Sequence, residues 1–243
     1  LTGLLEKSSN VGASLLAEDI GAEPLWSTYR GLGFGRITGI GFPGEASGSL
    51  SLWRDWRAAD TAAHSYGYGL AVTPLQLAAA YVGLANGGNY LAPSLLRRDT
   101  PPEAQSVFNA PVADQVVGML RSVVSPTGTA PQAAITGFQV AGKTGTVRRL
   151  GKGGYSKTDY NTVFAGVAPA TDPRLALVVV LHRPTAGKVY AGDVAAPVFQ
   201  RVMNGALRML NIRPDDLPEL PAGQVAGEVP AVVAESGHER GAG

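Results

Sequence analysis

The chain has 243 residues, 20 basic and 19 acidic side chains, a formal net charge of +1 and no cysteine. Its length and its 45% hydrophobic against 16% charged residues suit one large or two small domains with a real core, and exclude wholesale disorder. Balanced charge removes the electrostatic basis for binding nucleic acid, and the lack of cysteine excludes disulfides, thiolate catalysis and cysteine metal sites.

In chain order, Ser9 or Asn10 caps a helix in which Val11, Leu15, Leu16 and Ile20 recur at helical spacing, and Gly21 stops it. A short helix is predicted from Glu23 to Arg30, followed by a glycine-rich surface excursion from Gly31 to Gly48. The clearest helix has Thr73 as N-cap and Pro74 at its first position, and ends at Gly87-Gly88. Another is predicted from Val112 to Val124. Strands are predicted to begin at Phe138 and to run from Asn161 to Val167 and from Leu175 to His182, the last two joined by a turn at 168–173. A closing helix runs from about Ala195 to Leu210. This order predicts an α+β fold, an antiparallel sheet flanked by helices. The proline- and glycine-rich stretch at 221–243 reads as a flexible tail behind a domain of residues 1–220.

No apolar run approaches the roughly 20 residues needed to cross a bilayer, and the opening Leu1-Thr2-Gly3-Leu4-Leu5-Glu6-Lys7 has no signal-peptide pattern. A start at Leu1 is expected of a processed product or a piece of a longer protein. His64, His182 and His238 are scattered without metal-ligand spacing.

Gly137-Phe138-Gln139-Val140-Ala141-Gly142-Lys143-Thr144 matches the phosphate-loop pattern G-x-x-x-x-G-K-[ST]. Its context argues against a P-loop nucleotide binder, because the interior is strand-like and Gly145 to Gly154 is too glycine-rich to open a helix. On a strand, Lys143 shares a face with Gly145, where a glycine lets a substrate backbone approach closely. Alone, those residues would read as an ordinary edge strand, and Ser8-Ser9-Asn10 as a plain helix cap.

Taken together, Ser-x-Asn followed more than a hundred residues later by Lys-Thr-Gly resembles two of the three motifs of penicillin-binding proteins and serine β-lactamases. Ser65-Tyr66-Gly67-Tyr68-Gly69, continuing to Thr73-Pro74-Leu75-Gln76-Leu77-Ala78, and Ala85-Asn86-Gly87-Gly88 resemble the segment between those motifs in class B penicillin-binding proteins. Gly41-Phe42-Pro43-Gly44-Glu45 and Phe164-Ala165-Gly166-Val167-Ala168-Pro169 resemble the division-specific branch, penicillin-binding protein 3, of Gram-negative bacteria. The likeness covers roughly residues 1 to 220.

The resemblance implies a septal peptidoglycan D,D-transpeptidase without a cofactor, which joins stem peptides ending in D-Ala-D-Ala through an acyl-serine and is the target of β-lactams. It implies that Ser8 relays a proton, Asn10 hydrogen-bonds the substrate amide and Lys143 supplies positive potential. Thr144 and Thr146 would hold the terminal carboxylate beside Gly145, with the Thr146 N–H as an oxyanion donor. Tyr66 and Tyr68, with Tyr155 and Tyr190, would form apolar walls, although each reads equally as plain packing. It further implies division proteins as partners, no nucleic acid, and a place on the periplasmic face of the inner membrane with the anchor upstream.

The family's Ser-x-x-Lys nucleophile motif is missing. Lys7, Lys143, Lys152, Lys157 and Lys188 follow Leu4, Val140, Arg149, Gly154 and Thr185 by three residues, none of them serine. Arginine in Ser27-x-x-Arg30, Ser51-x-x-Arg54 or Ser94-x-x-Arg97 does not deprotonate and cannot substitute. The chain is therefore expected to be the C-terminal part of a transpeptidase domain, incomplete at its N-terminal side, with the nucleophile upstream of Leu1 and no activity by itself. Two other classes stay open, a P-loop-like nucleotide binder and a non-catalytic cell-wall-binding module. Ser9 stands between Ser8 and Asn10, where β-lactamases commonly carry Asp or Tyr, and fits the synthetic enzymes better.

Overall fold

A computed structural model describes residues 1–100, 102–151, 154–185 and 187–217, with Lys157 described through its backbone alone. The expected tail at 221–243, and with it the expected boundary at 220, lie outside the described residues.

The chain opens with Thr2–Lys7 (α1) and Asn10–Ile20 (α2). Ser9 is the N-cap of α2, its Oγ accepting the Gly12 N–H at 3.1 Å, which satisfies one of the orphan donors of a first helical turn. The apolar stripe of α2 faces outward: Val11 is 71% and Leu15 62% exposed, and the one buried residue is Ala17. Ala22–Gly31 (α3) follows, and Ala58–Ser65 (α4), which the sequence did not announce, packs on α2.

Pro74–Ala85 (α5) starts as expected. Thr73 Oγ1 accepts the Gln76 N–H, and Gln76 Oε1 accepts the Thr73 N–H at 2.7 Å, a reciprocal cap. The Gln76 side chain is buried, and its Nε2 donates to the carbonyls of Arg36 (2.7 Å) and Ser47 (2.8 Å). That amide folds the glycine-rich segment back over α5. Phe34 and Thr38 are buried, so the segment expected to be a surface excursion contributes to the interior.

Asn89–Tyr90 (β1) and Gln105–Ser106 (β2) form a two-residue ribbon. Ala110–Leu120 (α6), capped by Asn109, tightens into a 3-10 turn at Arg121–Val124 where one continuous helix was expected. The carbonyls of Ser122 and Val123 accept Ser125 N–H and Ala130 N–H, so the following loop takes the acceptors that a longer helix would have used.

The main sheet has three antiparallel strands in the order Ala141–Gly151 (β3), Gly154–Ala168 (β4) and Leu175–His182 (β5). β3 begins at Ala141 rather than Phe138, because Phe138 bridges back to Ile135 and the Gln139 N–H is held by the Asp215 carboxylate at 2.7 Å. β4 begins at Gly154 rather than Asn161, so β3 and β4 form one long hairpin with a bulge between Arg148 and Leu150. Ala191–Val194 (α7) leads into Ala196–Met209 (α8).

α8 buries Ala196, Phe199, Met203 and Leu207, an i, i+3/i+4 stripe, against the sheet, with Phe199 edge-on to Phe164 at 4.7 Å. A second cluster of Val117, Leu120, Ala141, Val167 and Ala170 joins the sheet to α5 and α6. The architecture is the expected α+β one, a sheet between helical layers. No helix among the described residues is long and apolar enough to cross a membrane.

Candidate active site

β3 pairs with β4 along one side only, and its other edge borders a cleft of about 570 Å³. The cleft collects residues far apart in sequence: Ser8 and Asn10 from the α1–α2 junction, Tyr66 and Tyr68 from the turn after α4, and Lys143 to Thr146 from β3.

Ser8 ends α1 in the left-handed conformation, φ 54°, which a residue other than glycine adopts at a cost of about 1 kcal/mol. That turn directs its hydroxyl at β3, where Ser8 Oγ accepts a hydrogen bond from Lys143 Nζ at 2.7 Å. The same ammonium donates to the Thr144 carbonyl (3.1 Å) and to Thr144 Oγ1 (3.3 Å). Burial lowers the Lys143 ammonium from its ordinary 10.5 to about 8, because desolvation penalises the charged form. It remains mostly charged at neutral pH.

Thr144 and Thr146, two apart, share one face of β3. Thr144 Oγ1 lies 2.9 Å from Thr129 Oγ1, and Thr146 Oγ1 accepts the Ala191 N–H at 3.1 Å. Gly145 and Gly142 differ in what they answer to. A Cβ on Gly142 would stand 2.6 Å from Phe164 Cζ and 2.8 Å from the Ala165 carbonyl oxygen, whereas one on Gly145 would meet only Val163 at an ordinary 3.8 Å. The fold itself requires glycine at 142 and not at 145.

The four tyrosines divide. Tyr66, Tyr68 and Tyr190 border the cleft, Tyr190 being 70% exposed. Tyr155 does not border it; it packs edge-on to Tyr68 at 5.0 Å, and Tyr68 in turn packs on Tyr66 at 5.8 Å. Tyr68 also accepts the Arg148 N–H at 3.4 Å, tying the hairpin to the wall of the cleft. Asn10 opens α2 at the cleft rim, where its side-chain amide makes no hydrogen bond among the described residues.

The phosphate-loop pattern has no phosphate-loop geometry. Gly137 to Thr144 runs into an extended strand that continues through Gly151 instead of opening a helix, so the pattern offers no helix N-terminus to cradle a phosphate. Sequence reasoning missed Thr129 and the Ala191-Gly192 start of α7, both of which border the cleft. Their only sequence signal is local smallness: Gly128 and Ala130 flank Thr129, and Ala191 and Gly192 are themselves small.

The family model for the penicillin-binding protein transpeptidase domain matches residues 1–204. The chain belongs to the penicillin-binding protein transpeptidase family. Within it, the chain is 45% identical over 217 residues to the peptidoglycan D,D-transpeptidase FtsI of Escherichia coli K12, covering 89% of this chain and 37% of that protein. It is 41% identical to the probable peptidoglycan D,D-transpeptidase PenA of Neisseria meningitidis, covering 87% of this chain and 36% of that one. The chain thus spans little more than a third of the length of these two relatives. Among solved structures it is similar to the apo transpeptidase domain of Burkholderia pseudomallei penicillin-binding protein 3, with a TM-score of 0.84 and 40% identity, over 89% of this chain and 66% of that one. It is also similar to Mycobacterium tuberculosis penicillin-binding protein 3 in complex with ampicillin, with a TM-score of 0.82 and 32% identity, over 90% of this chain and 53% of that one. A transpeptidase of this family is a serine-type acyl-transfer enzyme, and the fold expected from the motifs is the family's fold.

Proposed function

We propose that this chain carries the proton-relay and carboxylate-binding half of a septal peptidoglycan D,D-transpeptidase, whose serine nucleophile comes from a Ser-x-x-Lys segment upstream of Leu1. The observation that carries the reading is the 2.7 Å hydrogen bond from Lys143 Nζ to Ser8 Oγ, which joins two motifs 135 residues apart at the mouth of one cleft.

The chemistry follows from donor and acceptor counts. The lysine of the upstream Ser-x-x-Lys takes the nucleophilic serine's proton as that oxygen attacks the penultimate D-Ala carbonyl, and the bond to the terminal D-Ala nitrogen breaks. Ser8 Oγ, with a lone pair engaged by the Lys143 ammonium, passes its own proton to that departing amine and regains one from the nucleophile pair. An amine from a neighbouring stem peptide then attacks the acyl-serine ester, and a proton returns by the same route. The Asn10 amide holds the substrate amide, and Thr144 and Thr146 receive the carboxylate next to the Lys143 charge. Tyr66 and Tyr68 shield the cleft, with Tyr155 behind them and Tyr190 at the rim. Peptidoglycan stem peptides and β-lactams are the ligands, division proteins are the partners, no cofactor takes part, and the work is done on the periplasmic face of the inner membrane. The half described here supplies no attacking serine, so by itself it forms no acyl-enzyme.

Intact mass before and after excess ampicillin tests this. The protein that contains this chain and the upstream segment should gain one ampicillin mass on a serine of that segment, and residues 1–243 alone should gain none. Absence of an adduct on the longer protein, or an adduct on residues 1–243 alone, overturns the reading.

A further inference from the structure

We infer that Thr129 is a positioning residue that sets the direction of the Thr144 hydroxyl proton, and through it the preference of the cleft for a ligand carboxylate. The inference rests on the transpeptidase reading above.

The argument is a count of lone pairs and protons. A threonine hydroxyl has one proton and two lone pairs. One lone pair of Thr144 Oγ1 is engaged by Lys143 Nζ at 3.3 Å. The contact of 2.9 Å to Thr129 Oγ1 then has two senses. If Thr144 donates to Thr129, its remaining lone pair faces the cleft and repels a carboxylate. If Thr129 donates to Thr144, both lone pairs are filled and the Thr144 proton is left for the ligand. An incoming anion therefore selects the second sense, in which Thr129 fills the lone pair that Thr144 could otherwise turn toward the ligand. Thr146 also has a donor behind it: its Oγ1 accepts the Ala191 N–H at 3.1 Å, which fills one of its two lone pairs. Each carboxylate-binding hydroxyl has a donor behind it, one from a side chain and one from the backbone.

The loop bearing Thr129 is held in place for this. A Cβ on Gly128 would collide with the carbonyl oxygens of Ser122 and Val123, and one on Gly192 would collide with the Thr129 carbonyl oxygen. Ala130 N–H donates to the Val123 carbonyl at 2.9 Å. The backbone at Thr129 is thus held between the 3-10 turn and α7, with the hydroxyl 2.9 Å from that of Thr144 on β3.

The test compares Thr129→Val and Thr129→Ser in the transpeptidase that contains this chain and its nucleophile segment, using ampicillin and ampicillin methyl ester. Valine keeps the shape and removes the donor; serine keeps the donor. The second-order acylation rate of Thr129→Val should fall by up to about tenfold with ampicillin, the upper end of what one lost hydrogen bond between neutral groups costs, and by less than about twofold with the ester. Thr129→Ser should stay within about threefold of the parent with both. Because the comparison is a ratio of two ligands on one preparation, a change in the folded fraction cancels. An equal loss with acid and ester makes Thr129 merely structural and overturns the assignment, as does no loss with either. A parent that forms no adduct with either ligand overturns the proposed function as well, and is distinguished from failure at Thr129 by that measurement alone.

Discussion

Lys143 joins three jobs in one side chain: it donates to Ser8, it donates to Thr144, and it carries the charge of the cleft. Burial sets its ammonium near 8, which makes two opposite predictions. Between about 8 and 10.5 the unfolded chain holds the proton and the folded one does not, so this group's effect on stability grows more favourable as pH rises through that window. The site behaves the other way. Above pH 8 the charge and one donor are lost, and ampicillin acylation of the longer protein should fall about tenfold per pH unit. Lys143→Arg, slower at neutral pH because a planar fork replaces a point charge, should lose that alkaline limb because arginine stays charged. A flat wild-type profile from pH 7 to 10 would contradict the assignment. Of the site residues, Ser8, Asn10 and Lys143 to Thr146 were legible as residue types at a spacing. The left-handed turn that aims Ser8 was not, because nothing in Lys7-Ser8-Ser9 marks a positive φ at a serine.

At the scale of elements, β3 shows how one strand serves packing and chemistry at neighbouring positions. Its first residues, Ala141 and Gly142, are buried opposite Val167 and Gly166, whereas from Lys143 to Val147 the strand is only half-buried along the cleft. Gly142→Ala should cost about 1–3 kcal/mol, the usual result of forcing atoms into a filled core, read as a lower denaturant midpoint. Gly145→Ala should leave the midpoint within about 1 kcal/mol while slowing acylation by at least tenfold, about what a small misplacement of a reacting group costs. Equal effects of the two on stability would remove the distinction. The caps at Ser9 and Thr73 were legible because a cap and its recipient amide lie within three residues. The start of β3 was not, because Phe138 and Gln139 are strand-like in composition and are diverted by Ile135 and Asp215, the second of them 76 residues away. The same holds for α2, where helical spacing of apolar residues correctly indicates a helix while the structure turns that stripe outward.

For the molecule as a whole, the closing contact is Asp215. Its carboxylate accepts Gln139 N–H (2.7 Å), Thr171 N–H (3.2 Å) and the Thr171 hydroxyl (2.7 Å), while its carbonyl accepts Gln139 Nε2 at 3.2 Å. One residue past α8 therefore holds the entry to β3 and the β4–β5 turn together. Asp215→Ala should leave two backbone amides without that acceptor and cost about 2–3 kcal/mol, a fall of about 5–10 °C in Tm for a domain of this size. A shift below about 2 °C would show that the latch is replaceable by water.

What the sequence determined by itself are the features with a local cause: helix caps, strand alternation, the extended reading of Lys143 to Thr146, and the motif pair that points to acyl transfer. Each cap, strand and single motif rests on residues within a turn or a pleat of one another, so the pattern is written along the chain, and the pair of motifs is recognised by its order. Tertiary structure alone decided which hydroxyl faces which, that Thr129 stands behind Thr144, that Gln76 gathers the glycine-rich segment, and that Asp215 ties the end of the fold to its centre. Those contacts join groups 15 to 76 residues apart through single hydrogen bonds, and one hydrogen bond between distant polar residues has no periodicity from which it could have been read.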